Sequence, residues 1–135
     1  MEEETIRQDV YAVLHGILKN NISEVSGRVY SSYPKTKISL PLIIVEPAQV
    51  KKLSFLSNTG FEVTVTITVY SKKSSELDLL ADKVDYSLTH SQVETLWQNK
   101  MYLLQSYDSN TADFEDLNNN AGHYKVLTYV FRVIR

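Results

Sequence analysis

Phe61, Val63, Val65, Ile67 and Val69 alternate without a break with Glu62, Thr64, Thr66, Thr68 and Tyr70. A period of two sustained over such a run is the mark of a half-buried β-strand and is incompatible with an amphipathic helix. One side of this strand must face a core, so another layer has to cover it. The threonine side faces solvent or another subunit.

Two helical segments can supply that layer. From Thr5 to Lys19, the residues Ile6, Val10, Val13, Leu14, Ile17 and Leu18 recur at three and four positions, which puts them on one helical face. Glu2, Glu3 and Glu4 precede this face and favour a helix start, while Lys19 and Asn20-Asn21 favour its end. Gly16 weakens the helix interior by about 1 kcal/mol relative to Ala, which a close helix crossing would explain. The second helix opens around Ser74 and Ser75. Ser75 and Asp78 resemble a capping box with Asp in place of Glu, and Leu77, Leu80, Ala81, Val84 and Leu88 share a face. A loop or short helix through Val93, Leu96 and Trp97 follows.

The remaining elements read as strands and polar connections. Gly27 to Pro34 is a short β-rich run, and Leu40 to Pro47 is a strand whose consecutive apolar residues imply cover on both faces. Residues 48 to 60 read as a polar loop. Met101 to Tyr107 is a strand with Met101, Leu103 and Tyr107 on one side. Residues 108 to 123 read as a long acidic loop, a length that marks function or disorder. Tyr124 to Ile134 is a strand apolar on both faces, as a central or interface strand would be. The order α-β-β-β-α-β-β predicts an α+β fold: a mixed, mainly antiparallel β-sheet with two helices packed on one face. The length of 135 residues predicts one domain over 1–135.

Composition narrows the function. Fourteen Lys and Arg against sixteen Asp and Glu give a net charge of −2, which argues against a chain-wide electrostatic grip on nucleic acid. Cysteine is absent, which removes disulfides, thiol nucleophiles and Cys-ligated zinc. The acidic start is unlike a signal peptide, and the longest apolar run, Leu40 to Val45, is far short of the roughly 20 residues of a membrane span. The chain is therefore expected to be soluble, with no membrane role. Nine tyrosines are the compositional excess, and tyrosine suits surfaces that are both wet and adhesive.

Chemistry finds no carrier. His15, His90 and His123 fall in no metal-binding spacing, and no G-x-S-x-G elbow or phosphate-cradling glycine loop is present. Asp108-Ser109-Asn110-Thr111-Ala112-Asp113 begins like a calcium loop but lacks its glycine and its later bidentate Glu. No cofactor or metal is expected. The basic pairs Lys35 with Lys37, Lys51-Lys52 and Lys72-Lys73 guard strand ends or meet a partner. An enzyme would need a pocket holding a histidine with a carboxylate. A nucleic-acid module would need aromatic residues beside basic ones on the sheet, but no ribonucleoprotein motif accompanies Tyr30, Tyr33 and Tyr70. An interaction protein fits best.

The order of elements has a counterpart among known families. Val10-Tyr11-Ala12-Val13-Leu14 leads to Gly27-Arg28-Val29-Tyr30, then to Leu40-Pro41-Leu42-Ile43-Ile44-Val45. A strand ending Val69-Tyr70-Ser71 runs into a helix opening Ser75-Glu76-Leu77. From about Asp9 to Ile134 the chain resembles the tail terminator, or tail-completion, proteins of long-tailed bacteriophages. The resemblance implies a virion protein without catalytic residues. It would form a homo-oligomer, a hexameric ring in the assembled tail, with the tail tube protein and the head connector protein as partners. DNA would pass through its lumen without specific binding. On that reading the Lys51 to Thr59 segment (Lys51, Lys52, Asn58, Thr59) is the candidate contact with a neighbouring subunit or the tube. Asp108, Asp113, Glu115 and Asp116 are the candidate lumen or docking loop. The alternatives are a related head-completion or tail-tube component, or a small nucleic-acid-binding module.

Overall fold

The computed structural model describes residues 2–35, 38–54, 59–109, 111–115 and 121–134, with Ser54 and Thr59 described by their backbone alone. Helix α1 spans Glu2–Asn21 and buries Ile6, Val10, Leu14, Ile17 and Leu18. It starts earlier than its apolar stripe because the three glutamates fill its first turn, where the backbone dipole favours them. Asn21 closes it by donating from Nδ2 to the Ile17 carbonyl at 2.7 Å. A 3-10 turn at Ser23–Val25 then reverses the chain through Ser26 and Gly27, both left-handed at φ 49° and 77°.

Six strands form one sheet in the order β1-β2-β3-β6-β4, with β5 also on β6. Strand β1 is only Val29–Tyr30, paired parallel to Ile43 and Ile44, shorter than the run to Pro34. Strand β2 (Leu42–Ser54) and β3 (Thr59–Ser71) make a long antiparallel hairpin. This overturns the polar loop expected over 48–60. Pro47 does not stop β2, because it lies beyond the end of β1 on an open edge where its missing N–H breaks no ladder bond. The register shifts there by a bulge between Pro47 and Gln49, and Arg7 holds the Pro47 carbonyl from α1.

Strand β3 behaves as its alternation demands. Phe61, Val63, Val65, Ile67 and Val69 are all 0–1% exposed. Each such burial stabilises by about 1.5–3 kcal/mol. A slip of one residue would expose all five, so the register is strongly specified. Leu42, Ile43, Ile44 and Val45 are buried in succession, in keeping with the cover expected on both faces.

Helix α2 (Ser74–Tyr86) and α3 (Val93–Gln98) are separated by a π-helical segment at Ser87–Ser91. The capping box at Ser75 does not form, because the helix begins at Ser74 and Ser75 already lies inside its first turn. Ser71, fully buried, performs the task instead. Its hydroxyl accepts from the Lys73 N–H and donates to Glu76 Oε1 at 2.6 Å. The apolar residues of α1 and α2, with Leu96 of α3, join the inward residues of β3 and β6 in one core. The class is α+β, a mixed and mainly antiparallel sheet with its helices on one face.

Strand β4 (Met101–Asp108), β5 (Ala112–Glu115) and β6 (Ala121–Ile134) replace the loop expected over 108–123. The polar stretch is a second hairpin, because Ala112 to Glu115 pairs with Ala121 to Tyr124. A bulge at Leu104 turns β4 over. Met101 and Leu103 pair with the core residues Val133 and Phe131, but Tyr107 pairs with Thr128 and is exposed. Met101, Leu103 and Tyr107 therefore do not share a side. Strand β6 is central, as its two apolar faces suggested. Gly16 meets no crossing helix, for a Cβ built there has nothing within 4 Å.

Candidate assembly site

The ladders place the described residues of the two candidate segments at opposite ends of the sheet. The β2–β3 hairpin ends with Ser54 opposite Thr59, next to Gly60 paired with Ile134, and the β5–β6 hairpin ends with Glu115 opposite Ala121, beyond Ser71 paired with His123. Lys51 and Lys52 stand on β2 opposite Glu62 and Phe61, in a strand rather than a loop. Lys52 Nζ meets Glu2 Oε1 at 3.2 Å, an exposed pair worth below about 1 kcal/mol. Thr59 opens β3 opposite Ser54. Asn58 lies outside the described residues.

At the other end, Asp108, Asp113 and Glu115 occupy one lane beside β6. Two of these carboxylates meet cations or a cation-forming ring. Lys125 Nζ is 3.2 Å from Asp108 Oδ2, and His123 Nδ1 is 2.8 Å from Asp113 Oδ1. Glu115 is exposed opposite Ala121. Asp116 lies outside the described residues. The lane is thus a braced hairpin, built from strand pairing that charge composition alone does not reveal.

Behind Asp108, a groove of about 240 Å³ opens between α2 and the sheet, lined by Asp82, Asp85, Ser106, Lys125 and Tyr129 among others. Tyr129 is 1% exposed, and its hydroxyl donates to Asp85 Oδ1 at 3.0 Å. Burial, then the neighbouring Asp85 carboxylate, pushes the Tyr129 phenol far above its ordinary range. A tyrosine among core positions signals such a need, since its hydroxyl must find a partner. The identity of that partner depends on how α2 sits across the sheet. Among the described residues, no group of three His, Cys, Asp or Glu is placed to hold a metal. No helix among them is long and apolar enough to cross a membrane.

The tyrosine excess resolves into distinct tasks. Tyr70 meets Tyr33 edge-on at 5.1 Å, Phe114 edge-on at 5.0 Å and Tyr124 at 5.7 Å. This cluster fastens the segment after β1 and the β5–β6 hairpin across the face opposite the helices. Tyr86 stacks on His90 at 5.0 Å, and His15 packs beside Tyr11 at 5.4 Å. Tyr102 and Tyr107, with Leu104, are left exposed on β4 at the sheet margin.

No protein-family model matches this chain, and no curated protein matches it. Among solved structures, a chain from the virion of a native gene transfer agent (GTA) particle aligns with it over 93% of this chain and 92% of that one, with a TM-score of 0.59 and 14% sequence identity. At that identity the likeness is one of fold, so this chain has the fold of a protein found in a gene transfer agent virion.

Proposed function

We propose that the chain is a virion structural protein of a phage-like particle, one domain over 1–135, which caps the head-proximal end of the tail tube. It acts as a homo-oligomeric ring, hexameric in the assembled tail, that ends tube polymerisation and joins the tail to the head connector. The observation that carries this reading is the near full-length fold match to a virion protein. The sheet supports it by geometry, because the paired ends Ser54–Thr59 and Glu115–Ala121 of its two hairpins lie at opposite ends. A joining ring needs two unlike faces of this kind. The basic end with Lys51, Lys52, Asn58 and Thr59 would meet the tube or the adjacent subunit. The acidic end with Asp108, Asp113, Glu115 and Asp116 would border the lumen or dock the connector. Carboxylates there repel passing phosphates, which suits a conduit that must not grip DNA. No cofactor enters this role.

The test is electron microscopy of the purified protein mixed with unfinished tail tubes. Rings seated on one tube end support the assignment. Indifference to the tubes overturns it, and self-assembly of the protein into tubes would identify a tube component instead.

A further inference from the structure

The sheet face away from the helices is open over its middle. Its outward positions on the two central strands pair as Thr64 with Val130, Thr66 with Thr128 and Thr68 with Val126. All six are half-buried and uncharged, and no helix among the described residues lies over them. An antiparallel sheet that turns one face to water carries polar and charged side chains there. Short β-branched side chains instead make a flat surface of the kind that packs on a second sheet. At one end of this patch the cluster of Tyr33, Tyr70, Phe114 and Tyr124 rises from the face. At the other end, one row crosses β2, β3, β6 and β4 as Lys51, Glu62, Arg132 and Tyr102.

That row selects the occupant. A second copy turned about a two-fold axis running along the strands, between β3 and β6, keeps every row level and lays β3 on β6 and β2 on β4. Glu62 of each copy then faces Arg132 of the other. Glu62 and Arg132 are also neighbours within one chain, so the charges alternate in sign both along each sheet and between the sheets. In the same row Lys51 meets the ring of Tyr102, a cation on an aromatic face. One row on, Gln49 meets Gln105, whose amides pair donor to acceptor, and in the next Glu46 meets the hydroxyl of Tyr107. No like charges are opposed. A two-fold axis set across the strands at Thr66 instead puts Glu46 on Glu46 and turns Glu62 onto Tyr70, and like-charge contacts of that kind are costly. We infer that the free chain pairs with a second copy through the open face of its sheet, as an isologous face-to-face dimer with Glu62 and Arg132 in reciprocal contact. From strand spacing and rise, the patch covers roughly 450 Å² a side, the size of a weak, reversible contact. The aromatic cluster at the far end makes the sheets close most tightly at the Glu62–Arg132 row. A two-fold pair closes on itself and does not extend, so the dimer is a state of the chain outside any ring and stands independently of the proposed function.

The test is sedimentation of the full chain from ~10 µM to ~1 mM, the range in which a small, weak interface assembles, with amide NMR spectra over the same dilution. The wild type is expected to move from monomer to dimer, with concentration-dependent shifts at Thr64, Thr66, Val126, Thr128 and Val130. Glu62→Arg alone and Arg132→Glu alone each turn two attractive contacts between copies repulsive, weakening the dimer by about tenfold. Mixing the two variants restores it, because every contact between the unlike copies is again of opposite sign. Thr66→Lys, at the middle of the patch, abolishes it without unfolding the chain, as far-UV circular dichroism verifies. A wild type that stays monomeric overturns the proposal, as does a hexamer in place of the dimer. Shifts confined to the helices or to the β4 edge overturn it, and so does failure of the mixed variants to recover.

Discussion

Gly122 is the residue whose replacement should do most damage for least chemistry. A Cβ there would stand 2.3 Å from the Ser71 carbonyl oxygen and 3.1 Å from Ser71 C and Lys72 Cα. All three are backbone atoms, so no rotamer change relieves the clash. The start of β6 and the end of β3 must separate by about 1 Å to regain ordinary contact. Overpacking of this kind costs about 1–3 kcal/mol. The shift also pulls on the adjoining pairs Ser71 with His123 and Tyr70 with Tyr124. Tyr70 anchors the aromatic cluster, whose ring pairs contribute about 0.5–1.5 kcal/mol each beyond burial. Gly122→Ala should therefore cost about 3 kcal/mol, a fall in Tm of about 10 °C for a chain of this size. The assay is thermal unfolding with a parallel urea titration. The urea midpoint should drop with an unchanged slope, since the core that sets the exposed area is untouched. Hydrogen exchange should quicken first in β5 and the start of β6. A Tm within about 2 °C of wild type would refute the reasoning, because it would mean the two strand ends separate without loss.

Gly16→Ala should act with the opposite sign, raising stability by about 1 kcal/mol in the same melts, because helix propensity improves and the new methyl meets nothing. Tyr129→Phe removes the hydroxyl that donates to Asp85 and should lower stability by about 1–2 kcal/mol in urea titration at neutral pH. The raised folded-state pKa of Tyr129 gives stability that is full below about 10 and declines at higher pH as the unfolded phenol ionises. The gap between wild type and Tyr129→Phe should therefore narrow in alkaline melts, and a constant gap would contradict it. Glu24 is held below the usual carboxylate range chiefly by its hydrogen bond from Lys83. Its contribution is present above the unfolded value and lost as pH falls through the folded one. Glu24→Gln should therefore approach wild-type stability in acid and lie below it, by less than about 1 kcal/mol, at pH 7.

The fold was legible wherever burial was periodic. Phe61 to Tyr70 announced β3, and the apolar stripes of α1 and α2 announced the layer above it, because each side chain reports its own solvent exposure. Misreadings clustered where a backbone constraint is relieved by a distant element. Pro47 reads as a strand end until the shortness of β1 and the reach of Arg7 are known. Residues 112–115 read as loop because their pairing with 121–124 depends on a register rather than on their own propensity. The capping role fell to Ser71 because the helix start is set by the strand before it. The candidate site was half legible. The signs of Lys51, Lys52, Asp108 and Asp113 were plain, whereas Lys125 and His123 as their neighbours required the ladder. The open margin of β4 could not be read at all, since being an edge is a property of the whole sheet.

The central place of β6 has a consequence for how the protein forms. Strands β3 and β4 both find their ladder partner in β6, and β5 does as well. Leu127, Tyr129, Phe131 and Val133 complete the floor of the core. On a ribosome, the β2–β3 hairpin and the helices emerge long before their keystone, with one flank of β3 unpaired and apolar side chains uncovered. Folding must therefore wait for residues 121–134, then proceed by insertion of one late strand between two early ones. Contacts of that span are slow to close, and the interval exposes the strand flanks on which aggregation starts. A chain of this design would be guarded during synthesis less by its final stability than by how quickly its sixth strand arrives.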